Sequence, residues 1–207
     1  MTQTTISLIR HGEVYNPQKI FYGRLPRFGL SDLGREQAHR AARYVQASLP
    51  RVTAVFTSPL LRARQTAAII VDDLPASPPI KRTKKLIEVH TPHDGQPLSY
   101  MLARNWDLYS GLAPEYEQPD DIVRRTQQWI GRMRRDFAGQ HVIGVTHGDV
   151  VMYQIMWALN RPFTLEEKFA TAQTHFDSDY LHTASVSTFV YETSDMEERP
   201  AFRYFGQ

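Results

Sequence analysis

The sequence predicts an α/β chain in three layers, α/β/α, around a mostly parallel central sheet. Two observations carry that prediction. Short runs of branched apolar residues alternate along the chain with longer stretches of helical periodicity, and alternation of that kind builds parallel sheets covered on both faces. Two of the apolar runs also stop in the same way: Thr4–Leu8 leads into Ile9-Arg10-His11-Gly12, and His141–Thr146 leads into His147-Gly148. Open α/β sheets bind ligands beyond the carboxyl ends of their strands, so the repeated ending marks one sheet edge as the candidate site.

Bulk properties narrow the function classes. With 207 residues there is room for a substantial core, and the chain reads as one domain, 1–207, without repeats, low-complexity tracts or long linkers. A formal charge of +2 gives no argument for nucleic acid. The absence of cysteine excludes disulfides, thiolate nucleophiles and cysteine-ligated metals. The amino terminus lacks the basic-then-apolar pattern of a signal peptide, and no apolar run approaches membrane-spanning length, so a cytoplasmic protein is the expectation.

Beyond the first strand, Tyr15 to Leu30 is a loop rich in Pro, Gly and aromatics. Ser31 caps a helix with Asp32 in its first turn, and Ala38, Ala41, Ala42, Val45 and Leu49 place one apolar face on the sheet before Pro50 ends it. Thr53 to Thr57 is a second strand. Ser58-Pro59 reads as the cap and first position of the next helix, which carries Arg62 in its first turn. The macrodipole disfavours a cation there, and a bound anion would remove the objection. Ile80 to Leu86 is expected as a lysine-bearing edge strand, and Ile87 to Pro97 as a loop holding Glu88, His90, His93 and Asp94.

Helices are expected over Leu98–Tyr109 and Asp120–Phe137, the second with Ile122, Trp129, Ile130, Met133 and Phe137 inward and arginines outward. The strand His141–Thr146 then passes directly into a helix reaching Leu159. Ser185–Glu192 and Ala201–Phe205 are late strands, joined through a turn at Ser194-Asp195. If the three early strand ends are neighbours, Arg10, His11, Arg62 and His147 converge on one positive pocket. Such a pocket suits a phosphoryl group, because each guanidinium offers planar paired donors.

These elements resemble the histidine phosphatase superfamily, which includes the cofactor-dependent phosphoglycerate mutases. The resemblance rests on Arg10-His11-Gly12-Glu13, Asn16, Gly23, Leu30 to Ala38, Thr57-Ser58-Pro59-Leu60 with Arg62, Ala63 and Thr66-Ala67, Leu86-Ile87-Glu88, and Thr146-His147-Gly148. It implies a small phosphomonoester substrate, no metal and no cofactor. It further implies that His11 accepts the phosphoryl group, that Arg10, Arg62 and His147 hold its oxygens, and that Glu88 is the proton donor. Asn16, Gly23 and Gly148 fall at its phosphate-binding positions. Segment 87–119 would be a substrate-covering insertion.

The residues immediately after Glu88, Val89-His90-Thr91-Pro92-His93-Asp94-Gly95, depart from the pattern of many relatives, so His90, His93 and Asp94 stay open as the donor. Nearby arginines are expected to lower the pKa of Glu88 until phosphate binds. Phosphatase is favoured over mutase by the modest interval between Glu88 and Asp120. The competing classes are a metal hydrolase built on His11, His90, His93 and His147, and a phosphate-binding protein without activity. The substrate is open, and so is the oligomeric state, a dimer included.

Overall fold

The computed structural model describes residues 3–193 and 195–206. Its sheet has six strands: β1 (Thr4–Arg10), β2 (Val52–Thr57), β3 (Ile80–Arg82), β4 (His141–Thr146), β5 (Val186–Tyr191) and β6 (Ala201–Phe205), in the order β3-β2-β4-β1-β5-β6. The first four run parallel, and β5 and β6 are antiparallel additions on one side. Six α-helices are described: α1 (Asp32–Ser48), α2 (Leu61–Asp73), α3 (Leu98–Ala103), α4 (Pro119–Asp136), α5 (Gly148–Ala158) and α6 (Leu165–Phe176).

Pleating divides the core between the two faces. Ile9 of β1, Val55 of β2 and Ile143 and Val145 of β4 pack with the alanine-rich faces of α1 and α2. Ile6, Leu8, Phe56 and Val142 point the other way and pack with α4, α5 and the buried residues of α6. The three-layer arrangement is therefore as expected, and the alternation along each central strand is its cause. No described helix is long and apolar enough to cross a membrane.

Several local expectations are corrected. Ser31 does cap α1, accepting from the Gly34 N–H at 3.0 Å. Ser58 does not cap α2, whose first helical residue is Leu61, and Ser58 serves the sheet edge instead. The strand at Ile80 stops at Arg82, and Lys84–Leu86 forms a 3₁₀ turn. The helix from Leu98 ends at Ala103, where Asn105 and Trp106 take left-handed backbone angles. Arg134 breaks the outward rule for α4 arginines: it is 5% exposed, its guanidinium lying over Tyr191 and donating to the Thr193 and Asp195 carbonyls and to Glu198. The turn expected at Ser194-Asp195 lies partly outside the described residues. Helix α6 is an addition to the expected elements, although its start is written in Thr164, whose hydroxyl accepts from the Glu167 N–H at 3.2 Å.

Candidate active site

The sheet order sets β1, β4 and β2 side by side with their ends level. Arg10 pairs with Thr146 and Val145 with Thr57, so His11, His147 and Ser58 are the next residues of three adjacent strands. The ladder continues one step past each strand, with His11 N–H donating to Thr146 O and Ser58 N–H to Val145 O, both at 2.9 Å. The backbone thus fixes two imidazoles and a hydroxyl at one edge. Gly12 turns the chain away there, held by its N–H donating to Thr66 Oγ1 at 3.1 Å.

His11 is 2% exposed, and its Nδ1 lies 2.8 Å from the Gly12 carbonyl oxygen. A carbonyl can only accept, so the ring proton belongs on Nδ1 and the lone pair on Nε2. The Arg62 Nε–H donates to that Nε2 over 3.1 Å. Burial first, then the charges of Arg62 and Arg10, hold the His11 pKa well below the ordinary imidazole range, so the ring is neutral.

Arg62 is wholly buried. Its Nη2 donates to the Gly23 carbonyl at 2.7 Å and lies 3.2 Å from His147 Nδ1 and 3.6 Å from Glu88 Oε2, and its guanidinium sits over the Tyr22 ring. The His147 Nε2 lies 2.7 Å from Ser58 Oγ, and burial, then Arg62 and His11, keep that ring neutral as well. Arg10 donates to the Leu181 carbonyl and lies over the face of Tyr180.

Glu88 joins the cluster through Oε2, 3.4 Å from His147 Nδ1, while its Oε1 accepts from the Val89 N–H at 3.0 Å. Burial raises its pKa, with Arg62 opposing. The expectation that the arginines would lower it is overturned, because desolvation of the carboxylate outweighs their attraction.

The alternative donors are elsewhere. His90 lies against Tyr116, His93 is buried against Tyr100, and Asp94 accepts from the Arg24 N–H behind Gly23. Gly23 has φ +32°, and an added Cβ would fall 1.7 Å from Asp94 Oδ1, so only glycine lets its carbonyl face Arg62 here. Asn16 lines the cavity, but its amide brackets Ile20, donating to that carbonyl at 2.8 Å and accepting from that N–H at 3.3 Å. Gly148 opens α5 in the cavity wall.

His11, Glu88 and His147 offer three donor atoms within 4.8 Å of one another, a spacing a metal could use. The Arg62 guanidinium already occupies that space and the His11 lone pair, and it would repel a cation. The four-histidine metal site is not formed, since His90 and His93 lie outside this cluster.

Sequence reasoning misses the roles of four participants. Ser58 orients His147. Asp149 is more than a first-turn residue: it is buried, accepting from Lys168 Nζ at 2.7 Å, from Tyr109 OH at 2.5 Å and from Tyr180 OH. Lys168 and Tyr180 lie in the stretch after α5, which carries no motif. Asp149, Lys168 and Tyr180 border a cavity of about 490 Å³ with Arg10, His11 and Glu88 at its inner end.

An α/β sheet whose strand ends hold a neutral buried imidazole among guanidinium groups presents an anion-compatible cluster at that edge. Residues 6–192 match the model of the histidine phosphatase superfamily (branch 1), and the chain belongs to that family. The uncharacterized protein Rv0525 of Mycobacterium tuberculosis is 35% identical over 156 residues, 70% of this chain and 73% of that one. The fructose-2,6-bisphosphatase TIGAR of Xenopus laevis is 33% identical over 127 residues, 58% of this chain and 44% of that one. Among solved structures, the mycobacterial glucosyl-3-phosphoglycerate phosphatase Rv2419c superposes with a TM-score of 0.75 at 21% identity, covering 99% of this chain and 98% of that one.

Proposed function

We propose that this chain is a metal-independent phosphomonoester phosphatase working through a phosphohistidine on His11, with a small phosphorylated metabolite as substrate. One observation carries the reading: the unprotonated Nε2 of a buried, neutral His11 faces Arg62, His147 and Glu88 lie against the same guanidinium, and His11, Arg10 and Glu88 line one cavity. Family membership and the phosphatase names of relatives support it.

The geometry supports the following steps. The phosphoryl oxygens take the donors of Arg10 and Arg62; the Arg62 Nε–H passes from His11 Nε2 to one of them, and the lone pair so freed attacks phosphorus in line with the leaving oxygen. Fixed guanidinium groups stabilise the charge on the equatorial oxygens. The Glu88 carboxyl gives its proton to the leaving oxygen as the P–O bond breaks, releasing an alcohol. Glu88, now a carboxylate, takes a proton from water; the water oxygen forms a bond to phosphorus and the P–N bond breaks, returning neutral His11 and inorganic phosphate. The His147 tautomer with its one ring proton on Nδ1 donates to the anion, and its Nε2 then accepts from the Ser58 hydroxyl. The segment 87–119 covers the substrate.

A phosphomonoester labelled with ³²P tests this. Acid-labile, base-stable label on the wild-type chain, absent from His11→Ala, with chelator-insensitive phosphate release and no bisphosphate activator, is the expected result. Turnover at the normal rate by His11→Ala would overturn it.

A further inference from the structure

The cavity outside the phosphate end has a composition that the reaction does not require. Its wall there is built by Phe21, Leu98, Trp106, Leu108, Leu165 and Phe169. Among the lining residues the cations are Arg10 and Lys168. Arg10 belongs to the phosphate end, and the charge of Lys168 is already answered by Asp149 at 2.7 Å, with the rings of Tyr109, Tyr153 and Tyr180 around it. The Asn16 amide is engaged by Ile20, and the remaining charged lining residue, Asp179, is an exposed acid. A second phosphate or a carboxylate would therefore meet no free cation among the described lining residues and would be desolvated against hydrocarbon.

The backbone at Trp106 is a second, independent sign. Asn105 and Trp106 both hold positive φ, 50° and 56°. Asparagine tolerates that region, but a bulky aromatic there is an outlier that costs about 1–3 kcal/mol. The strained turn is pinned by the Trp106 N–H donating to Met101 O at 2.9 Å and by Arg104 Nε donating to Asp107 O at 3.1 Å. What the strain achieves is an indole set in the cavity wall and left 38% exposed.

Resting on the phosphatase reading for the phosphate end, we infer that the substrate is a monophosphate ester of an alcohol with a bulky apolar or aromatic body and no second anionic group. The cavity volume, about 490 Å³, suits such a small molecule. Trp106 and Phe169 are the specificity-determining contacts.

The test compares kcat/KM for 2-phenylethyl phosphate, ethyl phosphate, 3-phosphoglycerate and fructose 2,6-bisphosphate. The first three leave as primary alkoxides, so differences among them report recognition and not leaving-group chemistry. A single methylene in an apolar pocket is worth about 10-fold or more, so 2-phenylethyl phosphate should exceed ethyl phosphate by about 100-fold or more. It should also exceed the two polyanionic esters. The phenylethyl-to-ethyl ratio should fall by about 10-fold or more in Trp106→Ala and in Phe169→Ala, and survive in Trp106→Phe. Equal turnover of the two alkyl esters, or preference for either polyanionic ester, overturns the inference and leaves the phosphatase reading standing. Calorimetric binding to His11→Ala supplies the converse: tight binding of 2-phenylethyl phosphate over ethyl phosphate, with no turnover by the wild type, supports the pocket and overturns the phosphatase reading.

Discussion

Replacing Glu88 by Gln separates proton donation from electrostatics at this site. The substitution is nearly isosteric. The amide oxygen can keep the Val89 N–H bond made by Oε1 at 3.0 Å, while the NH₂ takes the place of Oε2 beside Arg62 and His147. Packing and the phosphate end are retained, and the transferable proton is lost. General acid catalysis is worth about 100- to 10,000-fold, which is about 2.7–5.4 kcal/mol of barrier. An alkyl ester needs that proton, because an alkoxide is strongly basic; a nitrophenyl ester does not. Initial rates should therefore show the full loss on ethyl phosphate and less than about 10-fold loss on nitrophenyl phosphate. The pH profile adds a sign. Burial raises the Glu88 pKa, so its protonated form persists above the ordinary carboxyl range and activity falls as pH rises through that raised value. That alkaline limb should vanish in Glu88→Gln. Equal losses on both esters, or an unchanged limb, would refute the assignment.

Four further outcomes come from the same geometry. Asp149→Asn leaves the buried Lys168 without its counter-charge, and urea denaturation should show a loss of about 3–5 kcal/mol. Gly34→Ala would put a methyl 2.0 Å from the Glu13 carbonyl oxygen, where α1 meets the loop after His11; a loss of about 2–4 kcal/mol in the same assay, or failure to fold, is expected. Burial above all holds His11, His147 and His141 below the ordinary imidazole pKa, so the unfolded chain takes up protons first as pH drops. Stability should be full above about pH 6.5 and decline below it by up to about 1.4 kcal/mol per pH unit for each ring, read from urea midpoints on either side. Inorganic phosphate at 100 times its Kd should stabilise the wild type by about 2.7 kcal/mol, and Arg62→Met should lose the accompanying rise in Tm.

Much of the site is readable in the chain because strands end where their apolar pattern ends. Arg10-His11-Gly12 and His147-Gly148 are identifiable as strand ends, and the level register of β1 and β4 turns them into neighbours. Ser58 misleads because Ser-Pro is a good helix-cap pattern; which of cap and sheet edge wins depends on the strand beside it, a tertiary fact. Helix α6 announces itself only through Thr164 and Glu167, and its short polar-interrupted face gives little periodicity to detect. The partnership of Asp149 with Lys168, Tyr109 and Tyr180 joins residues 19 to 40 positions apart, which no local pattern encodes. The sign of the Glu88 shift escapes the sequence for an energetic reason: nearness to arginine can be guessed, and depth of burial cannot.

The charge balance of the site explains why a raised Glu88 pKa and lowered histidine pKa values belong together. Whenever Glu88 is protonated, the formal charge among these groups comes from Arg10 and Arg62 alone, both imidazoles being neutral. Both carry a buried nitrogen without a hydrogen-bond partner, Arg10 Nε and Arg62 Nη1. Two cations match a phosphomonoester dianion, so the complex is neutral where solvent screening is weak. Under the proposed steps that neutrality persists. A neutral alcohol departs, neutral water enters, and the proton moves only between Glu88 and the reacting oxygens. An ionised Glu88 in the free protein would break the balance and make the bound dianion one charge in excess. Under the proposed function, the burial that raises the Glu88 pKa favours a bound dianion alongside the arginines.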